Sequence, residues 1–172
     1  YTGLRIGEIC ALKWGDISTD NGTVHICRTM QRLQKTGSDK NPNKTEIKIS
    51  SPKSDSSDRW IPMTENLRKM CISMQAESPD AYVLTGCCTQ FMEPRSLQYR
   101  FSKYTGDCGI NGITFHTLRH TFATRCVEVG FEIKSLSEIL GHSDVKITLN
   151  KYVHSSEKLK KENMDKLSAI GF

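Results

Sequence analysis

Apolar positions recur with two different periods along the chain, and the change of period separates helical segments from a sheet-forming middle. The opening stretch "YTGLRIGEICALKW" carries Leu4, Ile9 and Leu12 at helical spacing, and Gly3 just before them is typical of a turn. This pattern predicts a helix that begins within the first few residues.

The middle of the chain contains three segments typical of β-strands. Residues 22–33, "GTVHICRTMQRL", alternate and are rich in β-branched side chains, which predicts one strand. The polar stretch "QKTGSDKNPNK" predicts a loop. "TEIKISS" and "DRWIPM" then predict two strands, and "PKSDSSD" between them predicts that they pair as a hairpin. We therefore expect one small antiparallel sheet.

Helical patterns dominate from Thr64 onward, where "TENLRKMCISMQAES" and "EPRSLQYRFSKYTGDCG" are separated by "AYVL", a brief strand or a turn. A later helix, "EIKSLSEILG", ends at Gly141, and Ser143 is placed to cap "SDVKITLNKYVH". The tail after Ser155 has the pattern of an amphipathic helix. The whole predicts an α+β fold: a single, mostly helical domain over residues 1–172 with a small antiparallel sheet or hairpin on one side.

One helical stretch, "FHTLRHTFATRCVEVG", concentrates positive charge in a single turn. Residues three and four apart share a helix face, so His116, Arg119 and His120 lie together. The apolar positions of the same stretch fall on a separate stripe and predict a core-facing side: Leu118, Phe122, Cys126 and Val129. The polar turn therefore calls for a functional explanation.

Composition narrows the function classes only slightly. The chain has 172 residues and a formal net charge of +5, which is compatible with a polyanionic partner without demanding one. Its seven cysteines show no CxxC spacing, which favours reduced thiols in a cytoplasmic protein. No apolar run approaches the roughly 20 residues of a membrane span.

Four segments taken together are more informative than any single residue. "TGLRIGEICALKW", "PKSDSSDRWIP", "HTLRHTFAT" and "LGHSDVKITLNKYVH" occur in this order. The combination resembles the catalytic domain of the tyrosine recombinases, the family of phage and transposon integrases. In this family an arginine in T-G-L-R, a hairpin lysine, an H-x-L-R-H turn and an L-G-H before a tyrosine form the active site. Ser54 stands where that family usually has threonine.

The resemblance implies site-specific DNA recombination, integration or excision, through a covalent 3′-phosphotyrosyl intermediate, with no metal or cofactor. Tyr152 is the implied nucleophile, and Arg5 and Arg119 the clamp on the non-bridging phosphate oxygens. His116 is implied as the base or a phosphate donor, and His142 as a further donor. Such a set suits phosphoryl transfer, in which charge spreads over the phosphate oxygens.

Three further residues complete the expected site. Lys53, on its hairpin, is the candidate general acid for the departing 5′ oxygen, with Lys48 and Lys44 as weaker candidates. Glu8, close to Arg5, is expected to orient and partly neutralise the cluster. His120 is expected to support the site from below rather than to react.

The expected partner is double-stranded DNA. By resemblance we expect a tetramer on DNA with the tail packing on a neighbouring subunit, a monomer for the isolated domain, and a bacterial or phage-encoded protein associated with the nucleoid. The family also has an N-terminal DNA-binding domain before the first motif, so we expect this chain to be a fragment.

Other function classes share some of these features. His116 and His120 have the spacing of zinc ligands, which suggests a metal hydrolase, but the H-E-x-x-H glutamate is absent and Arg119 stands beside them. A DNA-binding module without catalysis has a similar basic surface but no reason for Tyr152. A type IB topoisomerase uses similar chemistry to relax DNA.

Overall fold

A computed structural model describes residues 2–35, 45–52 and 54–152, together with residues 161, 164 and 165. This part of the chain forms six α-helices and five β-strands. The helices are α1 (Ile6–Ala11), α2 (Glu65–Met74), α3 (Pro94–Asp107), α4 (Phe115–Glu128), α5 (Ile133–Leu140) and α6 (Val145–Tyr152). The strands are β1 (Ile17–Ser18), β2 (Thr23–Ile26), β3 (Thr29–Gln34), β4 (Thr45–Ser50) and β5 (Arg59–Pro62). The predicted α+β class is confirmed.

The strands form two antiparallel sheets instead of the one expected. Strand β2 lies between β1 and β5, and β3 pairs with β4 in a separate sheet. The prediction of one strand over residues 22–33 was wrong because the chain breaks at Cys27 and Arg28. Both of these side chains turn to Asp16, whose carboxylate accepts hydrogen bonds from the thiol and the guanidinium.

The predicted pairing of the strands on either side of "PKSDSSD" was also wrong. Strand β4 pairs back with β3, and β5 crosses to β2, with Val24 opposite Ile61 and Ile26 opposite Arg59. The segment between β4 and β5 therefore connects two sheets and includes a 3₁₀ turn at Asp55–Ser57.

Three apolar clusters form the interior of the described residues, and a small one lies between α1 and β3 at Cys10, Ala11 and Met30. The two larger clusters position the site. One lies under the three-stranded sheet and includes Trp14, Ile26 and Ile61. The other joins α4, α5 and α6 through Ala123, Cys126, Leu136, Leu140 and Tyr152.

The predicted core stripe of α4 was only partly right. Cys126 is buried and Phe122 packs beside it, but Leu118 is 47% and Val129 73% exposed. The buried face of α4 is rotated toward Arg119 and Ala123, because Arg119 has backbone acceptors in the interior.

Helix ends follow the sequence signals closely. The Thr64 hydroxyl accepts a hydrogen bond from the Leu67 N–H at 3.4 Å and caps α2. Gly3 before α1 has φ of +62° and Gly141 after α5 has φ of +64°, the left-handed conformation that glycine adopts without strain. At the start of α6 the carboxylate of Asp144 accepts from the Lys146 N–H at 2.8 Å, where Ser143 was the predicted cap.

Within the described residues, no helix has both the length and the apolar character that a membrane crossing needs. The predicted amphipathic tail lies outside the described residues, except for Lys161, Met164 and Asp165.

Candidate active site

The C-terminal end of α5 brings three arginine side chains together. Residues 139–141 present three successive carbonyl groups. Arg59 Nε donates to the first at 2.7 Å, Arg119 Nη2 to the second at 2.7 Å, and Arg5 Nη2 to the third at 2.8 Å. The last carbonyls of a helix lack partners within the helix and carry its negative dipole end. The end of α5 therefore fixes Arg5, which directly precedes α1, and the arginines of β5 and α4 around one point.

Glu8 is the carboxylate that neutralises part of this charge, as the sequence predicted. It is 4% exposed, and its two oxygens accept from Arg59 Nη1 and Nη2 at 3.1 and 3.0 Å. Arg5 adds a bond from Nη1 at 2.8 Å and one from its own backbone N–H at 2.8 Å. Burial alone raises the pKa of Glu8, but the hydrogen bonds and charges of Arg59 and Arg5 outweigh it and hold the pKa below its ordinary value.

Arg59 belongs to the site although the sequence did not single it out. The guanidinium also lies so close to Gly141 that a larger residue there would clash with it: a Cβ atom would lie 2.7 Å from Nη1. Arg59 is 8% exposed, whereas the next residue, Trp60, is 60% exposed. The signal was present in the period of the strand, because Arg59 shares its face with the buried Ile61.

Arg119 is held by two backbone carbonyls that are far apart in the sequence. Its Nη1 donates to the Gly3 carbonyl at 2.8 Å, in addition to the bond from Nη2 to α5, and it is 3% exposed. Burial, and next the charge of Arg5, lower the pKa of Arg119 to about 10, so it is a cation at neutral pH. A guanidinium has five N–H donors, so these two bonds leave donors for an anion.

Tyr152 is buried at the end of α6 with its hydroxyl on a histidine. Its Oη lies 2.9 Å from His120 Nδ1, and the rings of His120 and His116 meet edge to face with centroids 4.4 Å apart. Burial raises the pKa of Tyr152, against an opposing effect of the Arg119 charge. Burial also lowers the pKa values of both histidines, helped by nearby positive charge from Lys151 and Arg119. The site therefore holds a protonated phenol beside neutral imidazoles at pH 7.

His142 directly follows Gly141 at the end of α5, and its ring forms a hydrogen bond with a residue of α6. Its Nδ1 lies 2.8 Å from Oγ1 of Thr148, which is fully buried. Burial, followed by the charges of Arg119 and Arg5, lowers the pKa of His142 to about 4. This imidazole is neutral at physiological pH.

The predicted general acid, Lys53, lies outside the described residues, as does Lys44. Pro52 and Ser57, which precede and follow Lys53 in the sequence, line a cavity of about 150 Å³ together with Arg5 and Glu8. Lys48 is exposed on β4, opposite Gln31 of β3.

The structure thus assembles the predicted residues from separated parts of the sequence: Arg5, Glu8, His116, Arg119, His120, His142 and Tyr152. In the part of the chain that is described, no group of three or more His, Cys, Asp or Glu side chains is placed to hold a metal ion.

A sequence model of the phage integrase family matches residues 1–158. The chain belongs to the phage integrase family. The resemblance to the tyrosine recombinases is therefore confirmed. A XerC-like tyrosine recombinase of Caldanaerobacter subterraneus is 30% identical over 98% of this integrase-family chain and 47% of its own length. The integrase of Staphylococcus phage L54a is 28% identical over 98% of the chain and 49% of its own length.

Solved structures share the fold of this integrase-family domain. The integrase of transposon Tn1549, in complex with circular intermediate DNA, superposes with a TM-score of 0.70 at 26% identity, covering 96% of this chain and 56% of that one. XerA recombinase gives a TM-score of 0.62 at 25% identity over 96% of this chain and 54% of its own. The chain spans about half the length of the curated relatives it matches.

Proposed function

We propose that this chain is the catalytic domain of a site-specific DNA recombinase that cuts and rejoins strands through a phosphotyrosyl intermediate. One observation carries the proposal: the Tyr152 hydroxyl lies 2.9 Å from a neutral imidazole, on the helix that follows the arginine-bound end of α5. A nucleophile beside a base, next to fixed cations, is the arrangement that phosphoryl transfer requires.

In the proposed reaction, Tyr152 Oη attacks a DNA phosphorus and the bond to the 5′ oxygen breaks. The phenolic proton passes to an imidazole, and the departing 5′ oxygen takes a proton from Lys53. Arg5, Arg119 and the Nε2 side of His142 bind the non-bridging oxygens, whose negative charge grows in the transition state. The product is a 3′-phosphotyrosine and a free 5′ hydroxyl.

Rejoining is the reverse reaction with a different strand. A 5′ hydroxyl attacks the phosphotyrosine, and the phenol leaves with a proton. One phosphodiester is replaced by one phosphotyrosine and then by another phosphodiester, so the reaction conserves bond energy and uses no ATP. None of these steps uses a metal or cofactor.

Two imidazoles are candidates to take the phenolic proton. The family resemblance assigns this role to His116, and the hydrogen bond to Tyr152 favours His120. Both have pKa values below the ordinary value for histidine, so both are free bases at neutral pH.

The exposed face of α3 supports double-stranded DNA as the partner. Arg95, Arg100 and Lys103 of this helix line an open cleft of about 770 Å³, and Tyr99 and Tyr104 beside them are 73% and 63% exposed. Arg32 and Glu93 form an ion pair at the same cleft. The sequence pattern of this helix predicts no function for this face. Basic side chains interleaved with exposed aromatics fit a phosphate backbone.

The remaining expectations are part of the proposal. We infer that the full-length protein assembles as a tetramer on paired DNA sites and acts on nucleoid DNA in the cytoplasm, and that the isolated domain is a monomer. The Tn1549 integrase structure, which contains circular intermediate DNA, supports a role in moving a mobile element.

The test is a suicide DNA substrate, nicked so that the short fragment with the free 5′ hydroxyl diffuses away after cleavage. The full-length protein is expected to form a covalent adduct that peptide mapping places at Tyr152. Tyr152→Phe loses only the phenolic oxygen, so it should form no adduct and retain DNA binding in a gel-shift assay.

Each alternative gives a different result. A binding module without catalysis shifts the DNA but forms no adduct. A topoisomerase forms the adduct and relaxes supercoiled plasmid but does not join two target sites. An adduct that persists in Tyr152→Phe assigns the nucleophile to another residue.

A further inference from the structure

Thr148 lies in the middle of α6, between His142, which precedes the helix, and Tyr152, which ends it. It is fully buried, and its Oγ1 lies 2.8 Å from Nδ1 of His142. It also precedes Tyr152 by four residues, so the two side chains share one face of the helix. A hydroxyl in the interior of a domain is retained when it has a specific partner, because burying it without one is costly.

The direction of this hydrogen bond follows from the partners of the hydroxyl. A threonine inside a helix commonly donates to the carbonyl four residues earlier. Among the contacts of the described residues, the partner of Thr148 Oγ1 is instead the ring nitrogen of His142. If this buried hydroxyl accepted from Nδ1–H, its own hydrogen would have no partner, which is costly; donation to Nδ1 satisfies it, and Nδ1 is then unprotonated.

This bond sets the chemical character of the opposite ring nitrogen. A neutral imidazole carries one hydrogen, and when Nδ1 accepts, the hydrogen is on Nε2. Nε2 then donates to an anion. In the other tautomer Nε2 presents a lone pair, which a phosphate oxygen repels. Burial and the neighbouring arginine charges lower the pKa of His142 to about 4. The imidazole is therefore neutral at pH 7, and the two tautomers remain distinct.

We propose that Thr148 is a positioning residue that holds His142 as the Nε2–H tautomer, the form that can donate to a phosphate oxygen. The tautomer is a property of the free protein, and its effect on cleavage rests on the function proposed above. Because Thr148 belongs to the helix of Tyr152, the docked nucleophile helix is what fixes His142 as a donor.

The experiment uses two variants of the full-length protein. Thr148→Val keeps the shape but removes the hydroxyl, and Thr148→Ser keeps the hydroxyl. Nitrogen-15 NMR of labelled histidine reports the tautomer directly. The wild type and Thr148→Ser are expected to show His142 as Nε2–H, and Thr148→Val a mixture or the Nδ1–H form.

Cleavage of the suicide substrate gives the second readout. Groups that orient a metal-bound imidazole are worth about 10- to 100-fold, and we expect a loss of this order for Thr148→Val, with Thr148→Ser restoring most of the rate. DNA binding should be unchanged in both variants.

The proposal is overturned if His142 is Nδ1–H in the wild type, or if Thr148→Val keeps both the Nε2–H form and the parental rate. If Thr148→Val does not fold, the spectra of the wild type and Thr148→Ser decide. If the wild-type protein forms no adduct, the proposed function fails, and the tautomer measurement still decides the role of Thr148.

Discussion

At the scale of single residues, the site is distinguished by three buried or half-buried arginines, two of which share one carboxylate. Arg5 and Arg59 bond directly to Glu8, whereas Arg119 bonds to backbone carbonyls. Carbonyl groups hold a guanidinium in place without cancelling its charge. The site therefore retains net positive charge while its donors are fixed, which is the arrangement that stabilises a phosphoryl transition state.

The base that takes the phenolic proton can be identified by its pH dependence. The pKa values of His116 and His120 lie below 6.5, so cleavage should rise with pH through the acid region and level off near neutrality. We expect His120→Gln to lose at least about 100-fold in rate and to lose this acid limb, because His120 bonds to the hydroxyl. Single-turnover cleavage from pH 5 to pH 8 measures both effects.

His116→Gln is the matched variant for this experiment. It should slow cleavage but keep the acid limb, because it removes a neighbour of the base. If instead the limb disappears in His116→Gln and persists in His120→Gln, His116 is the base and His120 supports the site.

At the scale of elements, helices were predictable because their ends are marked in the sequence. Thr64 and Gly141 begin and end their helices as expected, and in the H-x-L-R-H turn the rings of His116 and His120 meet. The strand pairing was not predictable, because β4 and β5 each have the alternation of a strand and nothing local shows which partner each one has. That choice depends on the interior, where β5 places Arg59 against Glu8.

The same limit explains what was missed at the site. Arg59 was not predicted because, of an arginine and a tryptophan side by side in a strand, the tryptophan is expected to be the buried one. Here the arginine is buried instead, because it pairs with Glu8, 51 residues earlier. The contact between His120 and Tyr152 joins residues 32 positions apart and has no local signal.

The end of α5 gives a prediction that separates backbone strain from crowding. Gly141→Ala requires a left-handed conformation and also places a Cβ 2.7 Å from the Arg59 guanidinium. Gly86 has nearly the same φ, +66°, with nothing within 4 Å of its virtual Cβ. The left-handed conformation costs about 1–2 kcal/mol for alanine, so the matched control Gly86→Ala should lose about this much stability in urea unfolding. Gly141→Ala should lose more, because it also displaces the Arg59 side chain.

Only Gly141→Ala should lose cleavage beyond this effect, because only it displaces Arg59 and the carbonyl that holds Arg5. Suicide-substrate cleavage measured well below the melting temperature tests this. Equal activity in the two variants contradicts the claim that the end of α5 aligns the arginines.

At the scale of the whole molecule, the site makes stability depend on pH. The pKa values of His116, His120 and His142 are lowered on folding, so the unfolded chain binds more protons below pH 6.5. Stability should therefore be highest above pH 6.5 and fall as the pH drops toward 4, the folded-state pKa of His142. The lowered pKa of Glu8 adds a further loss below about pH 4.5.

Thermal unfolding in buffers between pH 7.5 and pH 4.5 measures this dependence. His142→Gln removes the group with the largest downward shift, so its melting temperature should change less over this range than that of the wild type. A wild-type melting temperature that rises as the pH falls from 6.5 contradicts the assignment of neutral imidazoles at this site.

The convergence of arginines on the end of α5 also governs when the site can exist during folding. Arg5 bonds to a carbonyl 136 residues later, and Arg119 bonds to a carbonyl 116 residues earlier. Contacts of such long range form only after the intervening chain is ordered, since loop closure must precede them. A growing chain on the ribosome has Arg5 long before it has α5 or Tyr152. The proposed cleavage therefore requires that synthesis has passed residue 152, because a chain interrupted earlier has neither the nucleophile nor the carbonyls that hold the arginines.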